Sequence, residues 1–263
     1  MKRIRYSYLI IILVIGCVLS STGHAATRRK TVPDGVVLQK KTVILVRSGK
    51  LAKDFPNRRK ARVSFPVIKS GITDPTILAK MRSLLKLKNI FDTSLEEYRE
   101  DTWLSELDYK VNYNKNFILD ITFRQEGVGA YPDSQEKHLA INLRTGELIK
   151  AVDVFKSQSL GDLARLVDNK LRAELRETIE QVNQDPSIDA DEKQSVPELY
   201  KDLKIEVKDL DNFSIDDKGI TFLYDAGFPH VIQAYQPAGV YRFSYAELSQ
   251  FLKREGAPQS LTR

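Results

Sequence analysis

Apolar and polar residues alternate in several separate runs along this chain, and helical spacing takes over between them. The cleanest alternation is Phe117 to Arg124, with Phe117, Leu119, Ile121 and Phe123 on one face. It follows a β-like run, Tyr109 to Tyr113, through the turn residues Asn114-Lys115-Asn116. After Gly127-Val128-Gly129-Ala130-Tyr131-Pro132-Asp133, a further run sets Leu139, Ile141 and Leu143 on one face and ends at Arg144-Thr145-Gly146. An antiparallel meander is therefore predicted. Two earlier runs, Thr42 to Arg47 and Ala61 to Ile68, also read as strands, joined by a basic, proline-containing connection. Asp74 caps a helix with Pro75 in its first turn, and Ile77, Leu78, Met81, Leu84 and Leu85 make its apolar face. Lys86 to Glu106 has no dominant period.

A long helix is predicted next: Ser159 and Asp162 form a capping-box-like start, and Leu160, Leu163, Val167, Leu171, Leu175, Ile179 and Val182 keep helical spacing. The last third returns to strands, Phe213 to Ile215, Ile220 to Asp225 and Val240 to Phe243, with a turn at Asp216-Asp217-Lys218-Gly219. Ser244 and Glu247 then open a short terminal helix. Strands in runs, with helices between them rather than in regular alternation, give an α+β class: an antiparallel meander with a long helix packed across it, and two modules forming one compact unit. The boundaries read as a leader over 1–25, a basic N-terminal segment with one strand over 26–60, and a first module over 61–155. A connecting helix and acidic loop over 156–198, a C-terminal module over 199–253 and a tail over 254–263 complete the chain.

The leader changes the picture of where the protein acts. Lys2, Arg3 and Arg5 precede an apolar stretch from Tyr8 to Leu19, too short to span a bilayer comfortably, and small residues follow. Gly23 and Ala25 stand where a signal peptidase needs small side chains, so cleavage is expected after Ala25, with Ala26 as the second choice. Val14-Ile15-Gly16-Cys17 resembles a degenerate lipobox, and lipidation of Cys17 is the alternative processing. The chain is thus expected to be exported, periplasmic or secreted, with membrane contact only if it is lipidated or its leader stays uncleaved. Removal of the leader leaves about 240 residues, ample for a hydrophobic core. It also removes the one cysteine, and with it thiol catalysis and cysteine-ligated metals. Lys and Arg number 41 against 35 acidic residues, a net +6 that falls to +3 when the three basic residues of the leader are lost. That mild excess, clustered at Arg28-Arg29-Lys30, Lys40-Lys41 and Arg58-Arg59-Lys60, does not point to nucleic acid in this compartment.

Tyr113-Asn114-Lys115-Asn116 with its following strand, Gly127-Val128-Gly129-Ala130-Tyr131-Pro132, and Ile141-Asn142-Leu143-Arg144-Thr145-Gly146-Glu147 resemble the first half of the RsiV-like extracytoplasmic domain family. Phe213 to Ile220, Phe222-Leu223-Tyr224, and Ala238-Gly239 through Tyr245-Ala246-Glu247-Leu248 look like its C-terminal module. That family occurs as the sensing part of anti-sigma factors and beside PdaC-type peptidoglycan deacetylase domains. The resemblance implies envelope binding. With neither a sigma-binding segment before the leader nor a deacetylase domain after the last module, signalling across the membrane is not carried over.

Candidate binding residues follow from the loops and the polar sheet face. The glycines flanking Tyr131 and Pro132 can project Tyr131 as a rigid aromatic anchor, or let it fold back over its hairpin. His138 falls opposite Leu139 and Ile141, on the face of Asp120 and Arg124, as a small polar site or a solvated sheet face. His230, in Phe228-Pro229-His230, is placed on a loop beside Tyr224 and Asp225. Trp103 reads as core or as an exposed partner of a carbohydrate. No nucleophile elbow, zinc-binding His pair, phosphate loop or dinucleotide fingerprint is present. The expectation is a non-catalytic envelope-binding protein without cofactor or metal, recognising an envelope protein or a peptidoglycan-type glycan. The alternative is a cell-wall hydrolase or deacetylase with Asp/Glu and His138 or His230 as acid-base groups.

Overall fold

Alternating residues, separated by turns that impose positive φ or end a hydrogen-bonded ladder, build two sheets. The computed structural model describes residues 34–254 except 101, 102 and 130. Ala25, Ala26 and Cys17 lie outside the described residues. In the first sheet, strands β1 (Val37–Val46), β2 (Lys60–Ser70), β3 (Leu104–Lys115), β4 (Ile118–Val128), β5 (Pro132–Asn142) and β6 (Glu147–Leu148) lie side by side in chain order. The strand of the basic N-terminal segment is thus the edge of this sheet, paired with β2 from Val37↔Ser70 to Val46↔Lys60. The second sheet is the antiparallel trio β7 (Phe213–Asp216), β8 (Gly219–Leu223) and β9 (Val240–Ser244).

One pairing departs from the meander. β2 and β3 are parallel, through Arg62↔Glu106 and Val63↔Leu107. Parallel strands need a long crossover, and the residues without a dominant period supply part of it. After α1 (Gly49–Asp54) in the β1–β2 connection, α2 (Pro75–Leu84), α3 (Leu87–Phe91) and α4 (Leu95–Glu100) lie between β2 and β3. Asp74 caps α2, its Oδ1 accepting from the N–H groups of Thr76 at 2.7 Å and Ile77 at 3.2 Å. Asp74→Ala is expected to cost about 1 kcal/mol, read as a lower urea midpoint with an unchanged slope.

The expected turn at Asn116 is present, but Phe117 belongs to it rather than to the strand. Asn116 and Phe117 have φ of 55° and 61°, the conformation of a two-residue hairpin turn with positive φ at both central positions. Apolar spacing alone does not reveal this. The ring of Phe117 lies under the Arg144 guanidinium at 4.0 Å, and its N–H donates to the Asp34 carbonyl at 2.6 Å. These contacts hold an aromatic residue in a region that favours glycine.

Each face of the first sheet has its own cover. Leu119, Ile121, Phe123 and Ile141 form a core with Met81 and Leu85 of the crossover. On the other face, Ile118 and Ala140 join a core with Phe213, Ile215, Ile220, Phe222, Tyr241 and Phe243. After the short α5 (Ala151–Val154), the long helix α6 (Leu160–Gln184) closes that second core with Leu163, Val167 and Leu171. Its Lys170 ammonium stands 3.9 Å from the Phe243 ring centroid, and its Glu174 accepts the Tyr241 hydroxyl at 2.8 Å. The expected Ser159 cap is not made. The chain enters α6 through a 3-10 turn, Ser157–Ser159, so Ser159 is already helical and its hydroxyl makes no capping bond; Asp162 pairs with Arg165 instead. Helix α7 (Ala190–Leu199), capped by Asp189, precedes β7, and α8 (Tyr245–Leu248) starts in the reciprocal Ser244–Glu247 box. Among the described residues no helix is long and apolar enough to cross a membrane.

Candidate functional site

The tip of the β4–β5 hairpin and a loop of the C-terminal module meet in one groove. The hairpin carries Gly127, which Trp103 approaches too closely for any side chain: a Cβ there would lie 2.2 Å from the Trp103 carbonyl and 2.7 Å from its ring. The Val128 N–H donates to that carbonyl at 2.8 Å, and the Arg58 guanidinium donates to the Gly129 carbonyl at 3.2 Å. Pro132 opens β5, where its missing N–H is tolerated at the first residue of a strand. Between these anchors Tyr131 stands 62% exposed.

Tyr131 does not fold back over its own hairpin. Its ring packs edge-on to His230, with centroids 4.4 Å apart and an angle of 67°. His230 begins a 3-10 turn, His230–Tyr235, and its Nδ1 lies 2.9 Å from Gln233 Oε1. Phe228 stacks on Tyr200 at 6.2 Å, whose hydroxyl donates to the Tyr235 carbonyl at 2.7 Å, so the loop is tied to the second core. The resulting depression, about 330 Å³, is lined by Trp103, Tyr131, Phe228 and His230 with Asp133 and Gln233. It adjoins a more polar one of about 440 Å³, sharing Pro132, Asp133 and Gln233 and adding Arg124 and Glu126. An aromatic platform continuing into charged and amide groups can stack an apolar face while hydrogen-bonding its rim.

Of the residues expected to bind, Tyr131, Pro132 and His230 meet here, and His138 and Tyr224 do not. Tyr224 packs against the second core, its N–H donating to the Gly239 carbonyl at 2.8 Å, and burial raises its phenol above the ordinary range. His138 lies on the predicted polar face, paired across β4–β5 with Thr122. Its Nδ1 is 2.9 Å from Thr122 Oγ1 and its Nε2 is 3.6 Å from Glu136. Its side chain is only 12% exposed, and burial lowers its pKa against the opposing pull of Glu136. Trp103, which the sequence leaves open between core and surface, is half-buried and lines the groove; Gln233 carries no signal in the sequence.

The polar face is covered by the second sheet at its Asp120 end, while Arg124 stays exposed. Asp120 is fully buried. Its Oδ1 accepts from Asn112 Nδ2 at 2.7 Å and Ser214 Oγ at 2.8 Å, and its Oδ2 accepts from the Ile215 N–H at 2.8 Å. Burial nevertheless outweighs these donors and pushes the carboxyl up to about 6. Asn112 also donates to Thr122 Oγ1 at 2.7 Å, so a chain of polar contacts runs from β7 through Asp120, Asn112 and Thr122 to His138. This chain joins the sheets, and its carboxylate is withheld from solvent. Among the described residues no group of three or more His, Cys, Asp or Glu side chains is placed to hold a metal ion.

No protein-family model and no curated protein matches the chain. Several solved chains are similar to it, among them two DUF3298 proteins. A member of the DUF3298 family from Bacteroides fragilis aligns with a TM-score of 0.55 over 88% of this chain and 98% of that one, at 16% identity. A DUF3298 family protein from Pseudomonas aeruginosa aligns with a TM-score of 0.52 over 84% of this chain and 96% of that one, at 12% identity. The chain therefore has a fold similar to that of DUF3298 proteins, an uncharacterised domain family.

Proposed function

We propose that the protein is an exported, non-catalytic binding protein of the cell envelope whose aromatic groove takes a peptidoglycan-type glycan. The observation that carries this reading is the exposed Tyr131 ring, held edge-on by His230 beside Trp103 and continued by Asp133, Gln233 and Arg124. Sugar rings present apolar faces to aromatic side chains and hydroxyls to polar rims, and a pre-formed platform spends little conformational entropy on them. The leader-like N-terminus and the resemblance to RsiV-like envelope domains support the compartment. The acid-base alternative draws less support, since Asp120 is fully buried with both oxygens engaged and His138 is nearly covered.

Purified protein without the leader is to be tested for retention on purified peptidoglycan and against whole envelope extract, with Tyr131→Ala alongside. Tyr131 is exposed enough for the substitution to spare the fold, and affinity is expected to fall by about 2 kcal/mol, roughly thirtyfold. Retention of an envelope protein with no retention on peptidoglycan would move the groove to a protein partner. Release or deacetylation of peptidoglycan, lost in His138→Ala, would replace binding with catalysis.

A further inference from the structure

A second cleft lies where β2 runs on past its two pairs with β3. Phe65, Val67 and Ile68 of β2 face Leu85, Leu87 and Leu95 across a space of about 410 Å³, within the range of small-molecule sites. It shares no lining residue with the aromatic groove. The side chains of its walls are mostly apolar, and several polar groups nearby are already engaged. The N–H groups of Leu85 and Lys86 donate to the carbonyls of Met81 and Ser83, and Ser94 Oγ accepts the Glu97 N–H at 3.2 Å. A sugar entering here would lose hydration that the apolar side chains cannot replace, which an acyl chain would not.

The rim selects the head group. Lys88 is neutralised by Asp92 at 3.4 Å and Glu97 at 3.1 Å, and Glu96 leans toward Arg99 at 4.0 Å. Arg82 and Lys86, also at the rim, have no carboxylate partner among the described residues. An apolar slot with two uncompensated cations complements a chain that ends in one anion. We propose that this cleft binds a single-chain amphiphile with an anionic head, of the long-chain fatty-acid class.

The test is native mass spectrometry of the purified chain titrated with palmitate, with palmityl alcohol and with a palmityl ammonium cation. One saturable equivalent of palmitate is expected, with the alcohol bound about tenfold more weakly and the cation weaker still. The double variant Arg82→Glu, Lys86→Glu keeps the wild-type melting curve and removes the preference for palmitate; Val67→Trp fills the slot and abolishes both palmitate and alcohol binding. If Val67→Trp fails to fold, the surface double variant still decides. Absence of saturable palmitate binding, or palmitate binding unchanged in the double variant, overturns the proposal. A cleft shown by light scattering and cross-linking to be covered by a second copy of the chain overturns it as well.

Discussion

Gly239→Ala is expected to disrupt the three-stranded sheet. Gly239 has a φ of 65°, and a Cβ on it would lie 1.8 Å from the Tyr224 carbonyl oxygen, a backbone atom that cannot turn aside. Its own carbonyl accepts the Tyr224 N–H at 2.8 Å, so moving it away breaks the bond that closes the β8–β9 ladder. The left-handed conformation alone costs an alanine about 1 kcal/mol, and the overlap adds a shift of two strands in a packed core, giving roughly 4 kcal/mol in all. Urea unfolding measures this directly. Gly161→Ala is the control: it sits near the start of α6, where an added Cβ would meet nothing within 4 Å, and alanine there should be neutral or stabilising by about 0.5 kcal/mol. Equal midpoints for the two variants would contradict the close approach at Gly239.

Stability should also fall as pH rises between about 4 and about 6, and Asp120 is the reason. Its carboxyl titrates at about 6 in the folded protein and at its ordinary value of 3.8 in the unfolded chain. Between those limits the folded state holds a proton that the unfolded state has released, so raising the pH favours unfolding. The contribution is fully present below the unfolded value, declines through the window, and is lost above the folded one. Its size is at most about 3 kcal/mol. Asp120→Asn cannot ionise and should remove this part of the slope from urea midpoints collected across the window. A slope that persists in Asp120→Asn would assign the titration to other groups.

The strands of the meander are legible in the sequence because one face of each is apolar and the other largely polar, which gives a period of two. The alternation of Leu119, Ile121 and Phe123 coincides with complete burial of all three. Lys86 to Glu106 resists such reading because α3 and α4 are five and six residues long, too short for a helical period to repeat. Asp120 falls on a polar face, and nothing near it in sequence announces its cover; Ser214, its partner, is 94 residues away. The groove divides in the same way. A glycine-rich loop bearing Tyr131 and Pro132 is a local signal, and so is a histidine beside Phe228 and Pro229. That the two loops touch, that Trp103 backs them, and that Gln233 joins them follow only from packing the modules together.

Strand order in the first sheet is also chain order, and this bears on how the molecule assembles. Most rungs of the sheet close loops of a few residues, for which the entropy of bringing chain ends together is small. The exceptions are the β1–β2 connection over residues 47–59, which holds α1, and the passage from β2 to β3, where α2, α3 and α4 shorten the span that remains to be closed. The β3–β4–β5 meander can therefore form early as a local unit, with the β1–β2 ribbon docking onto its edge through only two parallel pairs. In the second sheet only β7 and β8 are joined by a short turn, and residues 224–239 separate β8 from β9, so the two sheets meet across a seam of contacts distant in sequence. Asp120 sits at that seam and has to shed its water as they meet.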